Sequence, residues 1–320
     1  MPKCQSTRCL IYVLSLLVLG PGITDYASSA LTKNGFDLRG ALVPESEIYH
    51  GGPPRDGIPS IDRPRFIRAE QAKELQPTSR VLGMFHNDIA KAYPVNILNY
   101  HEIVNDDFRG SPVVITYCPL CGSGMAFTAV IAGAKHSFGV SGLLYNSDML
   151  LYDRRTRSLW SQLMSRAISG PLKGYQLQKL NLANTTFQSW RAQHPDSLVL
   201  STNTGYSRDY THTPYPGYMQ SEAIYFPVSH RNRRYHPKEQ VIGLELSGQF
   251  KAYPFIELSR GNAVLEDHFA GQLLRIEFDA ENRTGKVLDA SDNEIPSVIS
   301  FWFAWYAFHP DTVIHNSKAQ

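Results

Sequence analysis

Val81-Leu82-Gly83-Met84-Phe85-His86-Asn87-Asp88-Ile89-Ala90-Lys91-Ala92-Tyr93-Pro94 returns further along the chain as Val241-Ile242-Gly243-Leu244-Glu245-Leu246-Ser247-Gly248-Gln249-Phe250-Lys251-Ala252-Tyr253-Pro254. Both conserved ends of this match share one offset (241 − 81 = 251 − 91 = 160). Each copy reads as a β-hairpin: a strand over 81–85, a turn over 86–89 and a returning strand over 90–94. The Tyr-Pro step then ends the strand and opens a short helix over 95–99. The second copy repeats this with a strand over 241–246, a turn at Ser247-Gly248 and a strand over 250–254. Downstream, Trp190 with His194-Pro195-Asp196 recurs as Trp305 with His309-Pro310-Asp311. That offset is 305 − 190 = 115, so the second copy is 160 − 115 = 45 residues shorter. For 112–146 no counterpart is legible, and Phe278-Asp279 is set against Tyr152-Asp153.

The resulting expectation is an α+β protein, internally duplicated, with two lobes of mixed or antiparallel sheet and a cysteine-bearing insertion in the first copy. Its expected organisation is a leader over 1–30, an N-terminal extension over 31–80, a first lobe over 81–205, a tyrosine-rich connector over 206–240 and a second lobe over 241–320. With 320 residues, 42% of them apolar and 19% charged, the chain can bury a large core and is not of the disordered class. Its 31 basic and 29 acidic residues leave +2, which supplies no basic field for nucleic acid.

Lys3 and Arg8 precede an apolar run over 10–19 that Gly20-Pro21-Gly22 breaks. That run is short for a membrane span, and Ser28-Ser29-Ala30 follows as a small-residue cleavage site. The reading is a signal peptide cut after Ala30, with an exported, periplasmic or extracellular product that keeps no membrane span; an uncleaved anchor is the alternative. Cleavage removes Cys4 and Cys9 and leaves Cys118 and Cys121. A bond between those two closes a very short loop and removes little unfolded-state entropy, so a stabilising staple explains the pair poorly.

The β-branched and aromatic run Pro112-Val113-Val114-Ile115-Thr116-Tyr117 predicts a buried strand that delivers Cys118-Pro119-Leu120-Cys121-Gly122-Ser123-Gly124. Gly-Ser-Gly after the second cysteine opposes the immediate helix of thioredoxin-like enzymes. The motif resembles instead the Cys-Pro-x-Cys-Gly knuckle of zinc ribbons and rubredoxins, although only one knuckle is present. Two thiolates suit Cu(I), or Zn(II) completed by His or Asp. Thiol–disulfide chemistry and a passive local disulfide remain open beside metal binding. The whole reading requires the two sulfurs side by side at a solvent-reachable tip of the longer lobe.

Three longer stretches carry a family resemblance: Thr116-Tyr117-Cys118-Pro119-Leu120-Cys121-Gly122-Ser123, then Phe138-Gly139-Val140-Ser141-Gly142-Leu143-Leu144-Tyr145-Asn146-Ser147, then Met149-Leu150-Leu151-Tyr152-Asp153-Arg154-Arg155-Thr156-Arg157-Ser158-Leu159-Trp160-Ser161-Gln162. They closely resemble the bacterial and archaeal family called domain of unknown function 3179, from about Gly83 to His309-Pro310. The resemblance implies a shared fold and site and no particular activity.

Within these stretches Asp153 is a candidate third ligand or general base, or else a turn cap. Arg154 suits an anionic ligand or a solvated face. Trp160 and Gln162 are pocket-lining or core residues, and Ser123 and Ser141 are candidate ligand contacts. Ser141 lacks the Gly-x-Ser-x-Gly spacing of a nucleophile turn. The loop Tyr206-Ser207-Arg208-Asp209-Tyr210-Thr211-His212, followed by Pro214-Tyr215-Pro216-Gly217-Tyr218, is either a pocket wall facing the cysteines or a packed connector. Its candidate contacts are Arg208, Asp209, Tyr210 and Tyr215. His86, His101, His136 and His212 are open candidates for completing a metal site, whereas the repeated His194 and His309 point to scaffolding. The basic run 231–236 reads as a solvated linker.

The sequence therefore predicts an exported protein whose Cys118–Cys121 site binds copper or zinc or acts through thiolate, with Cys118, Cys121 and Asp153 as the reactive set. The alternatives are a thiol–disulfide oxidoreductase or thiol-dependent transferase, and a small-molecule-binding module with a structural local disulfide. The expected partner is a metal ion or small molecule, not nucleic acid.

Overall fold

The computed structural model describes residues 32–317, so the expected signal peptide and its cleavage site lie outside the described residues. Strands account for 41% of the described residues and helices, 3-10 turns included, for 12%. The four α-helices are single connecting turns or little more: α1 (Val95–His101), α2 (Phe187–Gln193), α3 (Phe255–Leu258) and α4 (Trp302–Phe308). None of them forms a layer. The expectation of a two-lobed α+β fold is thereby overturned: five small sheets are arranged as a five-bladed β-propeller. Among the described residues no helix is long and apolar enough to cross a membrane.

Two blades are built on the repeated hairpins. Arg80–His86 pairs antiparallel with Ile89–Pro94, and Gln240–Leu246 with Gln249–Pro254. Both turns are two residues long with both residues left-handed: Asn87 and Asp88 at φ 47° and 58°, Ser247 and Gly248 at 51° and 73°. That conformation matches the twist of the strands it joins. On one side each hairpin pairs with an antiparallel strand, Ala183–Thr186 or Val298–Phe301. On the other it pairs with a short parallel strand, Leu198–Leu200 or Val313–Ile314. The segments joining those flanking strands contain α2 and α4, which carry the repeated tryptophans.

The tryptophans explain the glycines in the hairpins. A Cβ on Gly83 would lie 2.2 Å from the Trp190 ring, and one on Gly243 would lie 2.2 Å from Trp305. Each indole N–H is satisfied, Trp190 by Ser197 Oγ at 2.8 Å and Trp305 by Thr312 Oγ1 at 3.0 Å. His194 and His309 pack on the two indoles with ring centroids 4.2 Å away in both cases.

Two further blades are meanders. Ile103–Phe108, Ser111–Cys118 and Ser123–Thr128 form one with Lys179–Leu180 at its edge, and Val264–Phe269, Gln272–Asp279 and Thr284–Leu288 form the other with Glu294–Ile295. They correspond to each other. Lys91 and Tyr93 bind Asp106 in the first half, and Lys251 and Tyr253 bind Asp267 in the second. Cys118 pairs across its turn with Ser123, as Asp279 does with Thr284 (279 − 118 = 284 − 123 = 161). Two readings are corrected here. Phe278-Asp279 is the counterpart of Tyr117-Cys118, not of Tyr152-Asp153, and the cysteine turn belongs to a blade found in both halves instead of to an insertion.

The extra length of the first half lies between Thr128 and Lys179, where the second half needs only a short connection. It builds the fifth blade from Phe138–Tyr145, Asp148–Asp153, Leu159–Ser161 and Arg166–Ser169, completed by Ile48–His50 from the N-terminal side. Phe66–Arg68 likewise adds an edge strand to the first hairpin blade. One apolar cluster spans the parts, with Cys118, Cys121, Trp160, Tyr218, Phe301 and Trp305 in common.

Candidate metal centre

The cysteines sit in the tight turn closing Ser111–Cys118 onto Ser123–Thr128. The Cys121 amide donates to the Cys118 carbonyl at 3.2 Å, which folds the chain back. Gly122 follows at φ +61°, where a Cβ would lie 2.7 Å from the Phe301 ring, so both conformation and space call for glycine. Phe301, from the second half, donates its amide to the Cys121 carbonyl at 2.7 Å.

The inserted blade supplies the third group. Its strands Phe138–Tyr145 and Asp148–Asp153 are joined by Asn146 and Ser147, both left-handed at φ 51° and 64°. This turn is buried, and it aims the Ser147 carbonyl at the sulfurs: Cys121 Sγ is 3.4 Å from it and Cys118 Sγ 3.9 Å. The next residue is Asp148. The two Sγ atoms and an Asp148 carboxylate oxygen all lie within 4.8 Å of one another.

This cluster is sealed. Cys118 is 2% exposed and Cys121 and Asp148 are at 0%, so the expectation of a solvent-reachable tip is corrected to a buried site with polar neighbours. Both cysteines are free. Burial pushes both thiols upward, Cys121 the more strongly. Burial also pushes Asp148 up to about 7, against the Leu163 amide and the two thiols, which favour its charged form. Asp148 Oδ2 accepts from the Leu163 amide at 3.1 Å, while Oδ1 has no hydrogen-bond partner. Glu102, buried at φ 57°, is pushed up to about 8 by desolvation and by Asp148.

Part of the tyrosine-rich segment closes over the turn. Tyr218 donates to the Leu120 carbonyl at 3.0 Å, and the Lys238 ammonium rests 4.2 Å from its ring centroid. Lys238 is held by the Ser221 and Ala223 carbonyls at 3.0 and 2.6 Å. Tyr215 packs against the same cluster, and Glu102 and Cys118 add to burial in raising its hydroxyl.

The remaining candidates divide clearly. Asp153 accepts from the Thr156 amide (2.6 Å), Thr156 Oγ1 (2.7 Å) and the Trp160 indole (3.0 Å), and pairs with His136 at 3.1 Å. It locks its own turn and is not part of the group formed by the two thiols and Asp148, while the wholly buried Trp160 packs in the same apolar cluster as the cysteines. Gln162 is bound to Ser123 (2.7 Å) and Thr116 (2.8 Å), a buried brace behind the cysteine turn. Ser141 bonds the Leu150 carbonyl and the Leu143 amide at a bulge in the inserted blade. Arg154 is engaged with Asp62, Ser60 and the Phe138 carbonyl. Arg208 is exposed, and Asp209 closes a surface turn on Thr211 and His212. Tyr210 reaches His101 (2.6 Å) and Thr204 (2.7 Å). None of the four candidate histidines joins the sulfurs: His86 packs edge-on to Phe108, and His101, His136 and His212 have the partners just given.

The residues missed from sequence are Asp148, Glu102 and Lys238; Tyr218 lay in the loop read as a possible wall facing the cysteines. For Asp148 a signal existed: Asn146-Ser147 is a hairpin-turn pair, and an aspartate opening the apolar run Met149-Leu150-Leu151 is a buried carboxylate in need of a partner.

The second half shows what the same turn is without sulfur. There Asp279 stands for Cys118 and Asn282 for Cys121 (282 − 121 = 161), and Asp279 accepts from the Asn282 amide at 2.9 Å and its side-chain Nδ2 at 2.7 Å. The turn therefore closes on ordinary hydrogen bonds. Its sulfur version is not required by the fold.

Fold and site together define a five-bladed propeller with a buried dithiol–carboxylate cluster. The chain belongs to the DUF3179 family of proteins of unknown function, whose model matches residues 55–312. No curated protein and no solved structure matches it.

Proposed function

We propose that this protein holds a thiolate-preferring metal ion, zinc or copper, between Cys118 Sγ, Cys121 Sγ and the Asp148 carboxylate. The observation that carries the reading is the unpartnered Asp148 Oδ1, wholly buried beside two free thiols. A buried carboxylate oxygen without a hydrogen bond is costly, and three acids packed together are costlier when charged. A cation replaces their protons and compensates all three. Zinc binds thiolate at about 2.3 Å and carboxylate at about 2.0–2.2 Å, and ligand atoms that already lie within 4.8 Å of one another need only draw slightly together to share one ion. The hard carboxylate in the set favours zinc over Cu(I), for which two sulfurs suffice. The Ser147 carbonyl is placed to face the same centre.

Burial argues against the thiol–disulfide alternative, since exchange needs a reachable thiolate and both thiols here are shifted toward the protonated form. With Tyr218 across the turn, the ion is retained by the fold and not presented to bulk solvent. Elemental analysis of protein purified without chelator is expected to find near-stoichiometric zinc or copper, lost in Cys118→Ser. Metal-free wild type that takes up neither ion would refute the reading. Export rests on the basic, apolar and small-residue pattern of 1–30, and a mature chain beginning at Leu31 is its expected consequence.

A further inference from the structure

The two halves meet along two related seams, and the seams differ. Where the second hairpin blade meets the first meander, Lys179 and Glu245 form an ion pair at 2.6 Å and Phe250 stacks on His309 at 3.9 Å. Where the first hairpin blade faces the second meander, Phe85 stands for Glu245 and Ala90 for Phe250 (245 − 85 = 250 − 90 = 160). Glu294 stands for Lys179 (294 − 179 = 115). No ion pair forms between these replacements, and a smaller side chain takes the place of the phenylalanine. A cavity of about 660 Å3 lies here, lined by Phe85, Trp190, His194, Glu277, Lys286 and Glu294 among others.

We infer that this second seam is a binding site for a small organic cation, a primary amine or guanidinium carried on an apolar body. The size suits such a molecule. The charge balance sets its sign. Glu277, Asp279 and Glu294 oppose the single Lys286, and burial shifts His194 toward its neutral form. Asp279 is committed to Asn282, and Glu277 to Arg275 and Lys286 at 3.1 Å each. Glu294 makes no side-chain hydrogen bond or ion pair among the described residues; burial raises its carboxyl, with Lys286 acting against that and Glu277 with it, so a cation in direct contact is what would hold it charged. The apolar body has its surface too: Phe85 is 57% exposed, with one ring face stacked on His194. A cation over the ring's other face and against Glu294 gains from both. The ligand would supply the positive charge that Lys179 supplies at the other seam. The inference stands apart from the metal centre, since Cys118, Cys121 and Asp148 do not line this cavity.

Calorimetric titration of the full chain with benzylamine, benzyl alcohol and benzoate tests it. Benzylamine is expected to bind at least about tenfold tighter than benzyl alcohol, and benzoate weakest of the three. Glu294→Gln should erase most of the benzylamine advantage and leave benzyl alcohol unchanged, while Phe85→Ala should weaken both. Both side chains are exposed, so these variants are expected to keep the wild-type far-UV spectrum. Benzylamine binding no tighter than benzyl alcohol, or insensitive to Glu294→Gln, would overturn the inference. Cys118→Ser separates the two sites: it removes the metal and is expected to leave benzylamine binding intact.

Discussion

Asp148 is a carboxyl that folding places out of reach of water, and its protonation is linked to stability. Its pKa rises from the ordinary 3.8 to about 7, and that of Glu102 from 4.5 to about 8. Between the unfolded and folded values the native state binds more protons than the unfolded chain. Metal-free protein is therefore expected to lose stability as pH rises from about 4 to about 8, by at most about 1.4 kcal/mol per pH unit for each group. Urea midpoints measured in chelator at pH 5 and pH 7.5 check the sign, and Asp148→Asn should flatten the slope. An apoprotein that grows more stable over this interval would contradict the assigned burial. Bound metal reverses the trend, because binding releases protons and tightens as pH rises. The Asp279–Asn282 turn supplies a companion expectation. Cys118→Ser with Cys121→Ser should fold as the metal-free wild type does, with no metal uptake, as read by circular dichroism and elemental analysis.

Glycines set against tryptophans decide how closely a hairpin blade and its helix approach. Gly83 has ordinary backbone angles, so its requirement is space and not conformation: a Cβ would enter the Trp190 ring system. Gly83→Ala and Gly243→Ala are each expected to cost about 3 kcal/mol, toward the upper part of the range for overpacked cores. Because the two sites belong to different hairpin blades, their effects should add in the double variant when unfolding is followed by denaturant titration. The Asn146-Ser147 turn works at the same scale by another means. Its left-handed pair reverses the chain in two residues and so places Asp148 directly under the sulfurs.

For the molecule as a whole, the two halves are tied at matching places by different chemistry. On the side of the cysteine turn the backbone does it, Phe301 amide to Cys121 carbonyl. On the cavity side a guanidinium does it. Arg80 donates to the Asn282 carbonyl at 2.6 Å and the Arg283 carbonyl at 3.2 Å in the second half, and to the Asn184 carbonyl and Oδ1 at 2.7 and 2.6 Å in the first. Desolvation lowers its pKa only to about 10, so it stays charged at neutral pH. Arg80→Ala is expected to destabilise the protein by about 2–3 kcal/mol, the scale of losing charge-assisted bonds from partly buried carbonyls. Arg80→Lys should recover little, because an ammonium cannot span the fork. Thermal unfolding of the two variants measures this directly.

The repeated hairpins, the Ser247-Gly248 turn, the Trp-x-x-x-His-Pro-Asp motif and the cysteine pair were legible in the chain because each depends on neighbours a few residues apart, whereas the first turn, read over 86–89, is only Asn87-Asp88. A β-branched and aromatic run, a Ser-Gly turn pair and a tryptophan four residues before a histidine are local properties, and local physics writes them into sequence. The meander correspondence was not legible, because its strands keep pattern and register without keeping residue identity: Cys118 and Asp279 close the same turn by unrelated chemistry. Five blades in place of two lobes, and Asp148 in place of Asp153 beside the thiols, were decided only by tertiary structure. Asp153 and Asp148 head opposite ends of one strand, and which end meets the cysteines depends on how the inserted blade closes against the first meander. That closure comes from burying apolar faces far apart in the chain, a nondirectional force that leaves no mark on the spacing of the residues it brings together.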